Sequence, residues 1–339
     1  MRVRASTWRR IGLGVAVVGL ILALTVSALT IAIMWMPGTS YDGPLPELDE
    51  PQQQLSTNLR THVTALAASI GPRYAGRPES YARAADYLRQ QLTFMGYTSR
   101  VQTYEHRGQT FENIEVELAG RTAPDEIVVV GAHYDTAGRT PGADDNASGV
   151  AGVLELARLM ADSRPGRTVR FVLFANEEAP YFHTEAMGSW VYARRARERG
   201  EEIVVMLSLE MLGYYSTEPD SQEYPPMLSM FYPDRGDFIA FVSCLPYREA
   251  VTDSIGAFRE HAQFPSEGLA APAFVPGVSL SDHWAFWQED YPAVMVTDTA
   301  FYRNPHYHMD TDTPDTLDYT RFALVVDGLQ AVVARWADE

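Results

Sequence analysis

Apolar positions along the chain follow two rhythms. Four short runs, at residues 127–130 (IVVV), 168–174 (TVRFVLF), 203–209 (IVVMLSL) and 292–297 (PAVMVT), are continuous, as expected of core strands buried on both faces. Residues 101–104 and 111–118 alternate instead and predict strands, the second half exposed. Helical spacing covers 55–69, 149–160, 185–199, 237–244, 249–261 and a closing stretch from 316 to 336. One further helix is capped by Ser80, carries Tyr81, Ala84, Ala85, Leu88 and Leu92 on one face, and stops at Gly96. Strands alternating with helices predict an α/β fold.

The N-terminus departs from this pattern. Residues 1–10 are basic, and residues 11–36 form an apolar stretch without a charge, longer than the roughly 20 residues that span a bilayer. A basic flank before it and an acidic one after it predict a transmembrane signal-anchor with the N-terminus in the cytoplasm. The competing expectation is a cleaved signal peptide, with Val26-Ser27-Ala28 as the cleavage site. In either case the remaining chain is expected outside the cytoplasmic membrane. Residues 37–54 are rich in proline and acids and read as a linker, which leaves 55–339 as the folded domain.

Composition narrows the chemistry. The formal charge is −17, although the first ten residues include four arginines, and this argues against a nucleic-acid partner. All 27 basic residues are arginine, so neither a lysine nucleophile nor a Schiff base is available. The lone Cys244 excludes an intrachain disulfide and any cysteine-rich zinc site. A metal, if used, would be held by histidines and carboxylates.

Such residues follow the core strands. The first run leads into His133, Asp135 and, after a Gly/Pro loop, Asp144 and Asp145. The second leads into Glu177 and Glu178, the third into Glu210, and the last into a segment with His306 and His308. Ligands in open α/β sheets bind at the carboxyl ends of strands. Acids gathered there are costly unless a cation offsets them, and mixed imidazole and carboxylate donors suit zinc. If the 306–308 segment is extended, both histidines lie on one face, and spacing alone does not choose between them. Asp145 or Asn146 could also simply cap the following helix.

The ordered set GAHYDT, PGADDNASG, FANEE, SLEMLGY, SDHWAF and NPHYH…DTPDTLDY resembles the co-catalytic dizinc exopeptidases typified by bacterial leucyl aminopeptidase. That family also contains glutamate carboxypeptidases and is related to glutaminyl cyclases. The resemblance covers about residues 55–339 and implies a three-layer α/β/α sandwich with a mostly parallel mixed sheet. It implies two Zn2+, with His133 and Glu210 on one, Glu178 and His308 on the other, and Asp145 bridging both. It further implies Asp135 as the carboxylate that orients His133, Glu177 as general base, and a cis peptide at Asp145–Asn146. Two departures stand out. Glu210 occupies the place of an aspartate, and Val278 that of a tyrosine which stabilises the transition state. Tyr307, next to His308, is the candidate replacement.

The resulting expectation is an aminopeptidase acting on peptides with a free N-terminus. The alternatives are a carboxypeptidase with Arg303 as the carboxylate clamp, a glutaminyl cyclase-like acyltransferase using one zinc, and a metal-free binding module. The segments 214–232 and 264–276 could wall an apolar substrate pocket or belong to the core.

Overall fold

The structure, a computed structural model, describes residues 14–25, 27 and 33–338. The basic tail 1–10 lies outside the described residues, and the apolar segment 11–36 does so in part. Residues 14–25 are helical, with Val15, Val18, Leu20, Ile21, Leu22 and Leu24 exposed. Among the described residues, no helix is long and apolar enough to cross a membrane. Residues 37–49 are irregular and lie against the domain. Arg259 donates to the Pro37 carbonyl, Ser266 N–H donates to the Ser40 hydroxyl, and Leu45 and Leu48 pack on the core.

Eight strands form one mixed sheet in the order β1-β2-β4-β3-β5-β8-β6-β7. They are β1 (Arg100–His106), β2 (Gln109–Leu118), β3 (Ala123–His133), β4 (Arg167–Phe174), β5 (Glu202–Glu210), β6 (Ile239–Cys244), β7 (Ser266–Ala271) and β8 (Ala293–Thr297). Four of the seven pairings are parallel. In β3, Val128, Val130 and Ala132 enter one apolar cluster, while Ile127 and Val129 enter the other. Burial on both faces accounts for the unbroken apolar run.

Helices α1 (Glu50–Val63), α2 (Pro78–Phe94), α3 (Gly149–Met160), α5 (Arg248–His261) and α7 (Tyr319–Asp338) bury residues in the first cluster. Helices α4 (Gly188–Glu198) and α6 (His283–Gln288) bury theirs in the second. The chain leaves β3 through α3 on one face and β4 through α4 on the other. Strands β4 and β5 therefore flank β3, and a topological switch point lies at the β3 carboxyl end.

Two expectations need correction. Residues 237–244, expected as a helix, contain strand β6. All six β6 residues are buried, with Ile239 and Phe241 in one cluster and Ala240, Val242 and Cys244 in the other, so no polar alternation betrays the strand period. Ser80 does not cap α2. That helix starts at Pro78, and the Ser80 hydroxyl donates instead to the Pro72 carbonyl at 2.6 Å. Strand β7 (SEGLAA) was not anticipated, because its small residues have low strand propensity and gain order from parallel pairing with β6.

Candidate metal centre

Strands β3, β4, β5 and β8 run parallel, so their carboxyl ends meet along one edge of the sheet. His133 is the last residue of β3 and Glu210 the last of β5. Glu177 and Glu178 follow β4 after Asn176, which adopts a φ of 58°. Asp145 lies in the tight turn 143–148 that leads into α3, and the Asp145–Asn146 peptide is cis. His308 comes from the irregular segment after β8.

Two donor groups result, and they share one side chain. His133 Nε2 lies 3.4 Å from Asp145 Oδ1 and 3.3 Å from Glu210 Oε2. His308 Nε2 lies 3.0 Å from Asp145 Oδ2 and 3.1 Å from Glu178 Oε1. Asp145 thus directs one oxygen into each group, and within each group one donor atom per residue lies within 4.8 Å of the others. His306 is elsewhere: its Nδ1 sits 2.9 Å from the Thr311 hydroxyl and its ring packs edge-on against Tyr214.

Asp135 joins two of the strand ends. Its oxygens accept the backbone N–H groups of Glu177 at 3.0 Å and Glu178 at 3.1 Å. Its contact with His133 Nδ1 is longer, at 3.4 Å, and that nitrogen makes no hydrogen bond. The carboxylate therefore holds the Glu177–Glu178 turn more firmly than it holds the imidazole. Glu177 Oε2 reaches within 4.0 Å of His133 Nε2. Tyr307 stacks on His308 with ring centroids 3.8 Å apart and, with Val278 and Glu210, lines a cavity that opens at the site.

Several supporting residues escaped sequence reasoning. Arg73 is fully buried and donates to the carbonyls of Tyr134, Pro141 and Gly142, which fixes the loop between Asp135 and Asp145. Asp312 accepts the backbone N–H groups of Asp144 and Asp145. Ser281, backed by Ser208, donates to Glu210 Oε2 at 2.7 Å and so steadies the longer side chain at that position. The DTPDT and SDH motifs mark two of these regions, but nothing local marks Arg73, whose bonds to the Tyr134, Pro141 and Gly142 carbonyls span more than 60 residues. Asp282 is fully buried, and neither of its oxygens makes a hydrogen bond. Burial pushes its carboxyl up to about 7.

Arg303, the clamp named for the alternative carboxypeptidase reading, is buried. It donates to Gln222 and the Phe238 carbonyl, and its guanidinium lies 4.5 Å from the Phe238 ring centroid.

Electrostatics test whether a cation fits. Burial raises Glu177 well above the usual carboxylate range, with Glu178 and Glu210 adding and His133 opposing. Burial and Asp145 push Glu178 up to about 7. Burial opposes protonation of both imidazoles, yet the acids around them prevail: Glu210 and Glu177 raise His133, and Asp145 and Glu178 raise His308 to about 10. Burial would also raise Asp145, but its bonds to His133 and His308 hold it below its ordinary value. Four carboxyl groups thus face two imidazoles, and protons alone balance them only by neutralising acids. Nitrogen and oxygen donors in two sets around one shared carboxylate fit divalent zinc.

The profile of peptidase family M28 matches residues 113–333. The chain is 39% identical over 315 residues to the uncharacterized protein YfbL of Escherichia coli (strain K12), covering 90% of this chain and 94% of that one. It is 27% identical over 322 residues to leucine aminopeptidase 1 of Arthroderma otae, covering 85% of this chain and 77% of the other. Among solved structures it superimposes on the zinc aminopeptidase BSAP from Bacillus subtilis with a TM-score of 0.69 and 16% identity, over 84% of this chain and 95% of that one. The glutaminyl cyclase of Tannerella forsythia gives a TM-score of 0.61 and 21% identity, over 82% and 98%. At these identities the two structures share the fold, and they do not separate peptidase from cyclase.

Proposed function

The chain belongs to peptidase family M28, and from that premise we propose that it is a zinc-dependent aminopeptidase that hydrolyses the N-terminal peptide bond of peptides with a free amino end. His133, Asp145 and Glu210 would hold one zinc, and Asp145, Glu178 and His308 a second. When bound there, zinc supplies Lewis-acid polarisation of the scissile carbonyl and acidifies the attacking water.

The protein's own groups do the rest. Glu177 takes a proton from the attacking water and returns it to the nitrogen of the departing amine. Asp135 holds the turn that carries Glu177, through the two backbone N–H groups it accepts. The Tyr307 phenol, which lines the cavity together with Val278, donates a hydrogen bond to the oxygen on which charge develops. The observation that carries this reading is the division of the two Asp145 oxygens between two donor groups. The engagement of Arg303 within the core removes the candidate clamp for a substrate carboxylate and so favours release from the amino end.

The test incubates the full-length, zinc-supplied protein with a peptide pool, either free or N-acetylated. The reading expects release of the N-terminal residue from free peptides only. Equal cleavage of acetylated peptides from the carboxyl end contradicts it. Cyclisation of N-terminal glutamine without peptide hydrolysis would identify an acyltransferase instead.

We also propose that residues 11–36 anchor the protein in the cytoplasmic membrane in a single pass, with the catalytic domain on the extracytoplasmic side. The exposed apolar side chains of the 14–25 helix support this, as does the basic flank before it. Retention in carbonate-washed membranes, with the domain open to external protease, is expected. Release by carbonate contradicts it.

A further inference from the structure

The cavity that opens at the metal centre has a direction, and strand register defines it. Glu210 pairs with Thr297, Thr297 with Ala240, and Ala240 with Glu267. Paired residues on neighbouring strands share a face, so these four stand in one row across β5, β8, β6 and β7, and all four line the cavity. The next row, Met295, Val242 and Leu269, lines it too. Three strand spacings place Glu267 about 14 Å from Glu210 along this trough.

The two ends differ in chemistry. Small residues, Thr297 and Ala240, keep the floor low beside the metal ligand. At the far end stand Glu267 and the rings of Tyr224 and Tyr232, stacked at 5.7 Å with their planes within 20°. The Tyr232 hydroxyl donates to the Gly268 carbonyl at 2.7 Å, which fixes that ring beside the acid. Among the described residues that line the cavity, every charged one is an acid: Glu210, Glu223 and Glu267. Arg259 approaches Glu267 from outside the cavity at 3.9 Å, but its guanidinium is spent on the Ser266 hydroxyl and carbonyl and the Pro37 carbonyl. Burial leaves the Glu267 carboxyl raised despite Arg259 and Ser40. An apolar trough that ends in an acid and two aromatic faces matches a side chain with a long aliphatic stem and a cationic tip.

We propose that Glu267 is a specificity-determining residue and that the preferred N-terminal residue is lysine or arginine. The stem lies over Thr297 and Ala240, and the cation meets Glu267 between Tyr224 and Tyr232. Leucine fills only the inner part of the trough and brings no cation to Glu267. This inference rests on the aminopeptidase reading.

The experiment compares kcat/KM of the full-length, zinc-supplied protein for peptides that differ only in the first residue: lysine, arginine, norleucine or leucine. Norleucine carries the aliphatic stem without the charge. Lysine and arginine are expected to exceed norleucine by about tenfold or more, and Glu267→Gln to collapse that ratio towards one. Wild-type protein that cleaves norleucine as well as lysine overturns the inference, with or without the variant. So does a lysine-to-norleucine ratio that survives in Glu267→Gln. Failure to release any of the four residues overturns the aminopeptidase reading itself, an outcome distinct from activity without preference.

Discussion

The metal centre and the trough beside it are built differently, although they share Glu210. At the centre, the side chains that matter are gripped by the backbone or by buried polar groups. Asp312 holds the Asp144–Asp145 turn, Asp135 the Glu177–Glu178 turn, Arg73 the loop between Asp135 and Asp145, and Ser281 the carboxylate of Glu210. In the trough, the walls are mostly apolar or aromatic side chains, many of them supplied by β6, β7 and the 214–238 segment. Metal chemistry needs donor positions held to a fraction of an ångström, whereas side-chain recognition tolerates variation in the wall. Substitutions at the centre should therefore abolish turnover on every substrate, and substitutions in the trough should re-rank substrates.

Glu177→Gln sharpens that contrast most. It should reduce turnover roughly 10²- to 10⁴-fold for all N-terminal residues while zinc content, measured by atomic emission, stays unchanged. Normal turnover in this variant would remove Glu177 as the base. Arg73→Met tests the scaffold of the centre. It strips the donor from three carbonyls and removes a buried cation that interacts with Asp312, Asp135 and Asp145, so denaturant melts should show a loss of roughly 3–5 kcal/mol. An unchanged midpoint would mean that the loop holds its shape without Arg73.

Ala240→Leu addresses the trough alone. The larger side chain raises its floor, and kcat/KM should fall about tenfold for long first residues but little for alanine. An equal loss on alanine would show that the substitution disturbs the centre as well.

The smallest effect is expected away from both regions, where buried Glu155 receives His62, Asn58 and Arg158. Burial would raise its carboxyl, yet these partners hold it below the ordinary value of 4.5. A depressed folded-state value means that the contribution is present above pH 4.5 and is lost as pH falls through the folded value. Thermal melts of wild type should thus lose stability more steeply below pH 4.5 than those of Glu155→Gln. Parallel curves would contradict the assignment.

The same division governs what could be read in the chain. Apolar runs that end in His133, Glu177–Glu178 and Glu210 carry their chemistry in adjacent residues, so strand and ligand are legible together. The choice of His308 over His306 came only from resemblance, since both lie after β8 at a spacing of two. Strand β6 reads as a helix because burial on both faces erases its alternation, and β7 leaves no pattern because SEGLAA has little intrinsic preference for a strand. The trough depends on register across β5, β8, β6 and β7, a property of the assembled sheet that no single segment encodes. Arg73 was invisible for the same reason: its role is set by carbonyls that only the folded loop brings around it.

The central claim is that Asp145 serves two metal ions at once. Native mass spectrometry of the full-length protein, equilibrated with zinc and then freed of excess, counts them directly. Two zinc ions per chain in wild type, with neither bound tightly in Asp145→Ala, is the predicted result. A single ion in wild type, or an Asp145→Ala protein that still holds two, would contradict it.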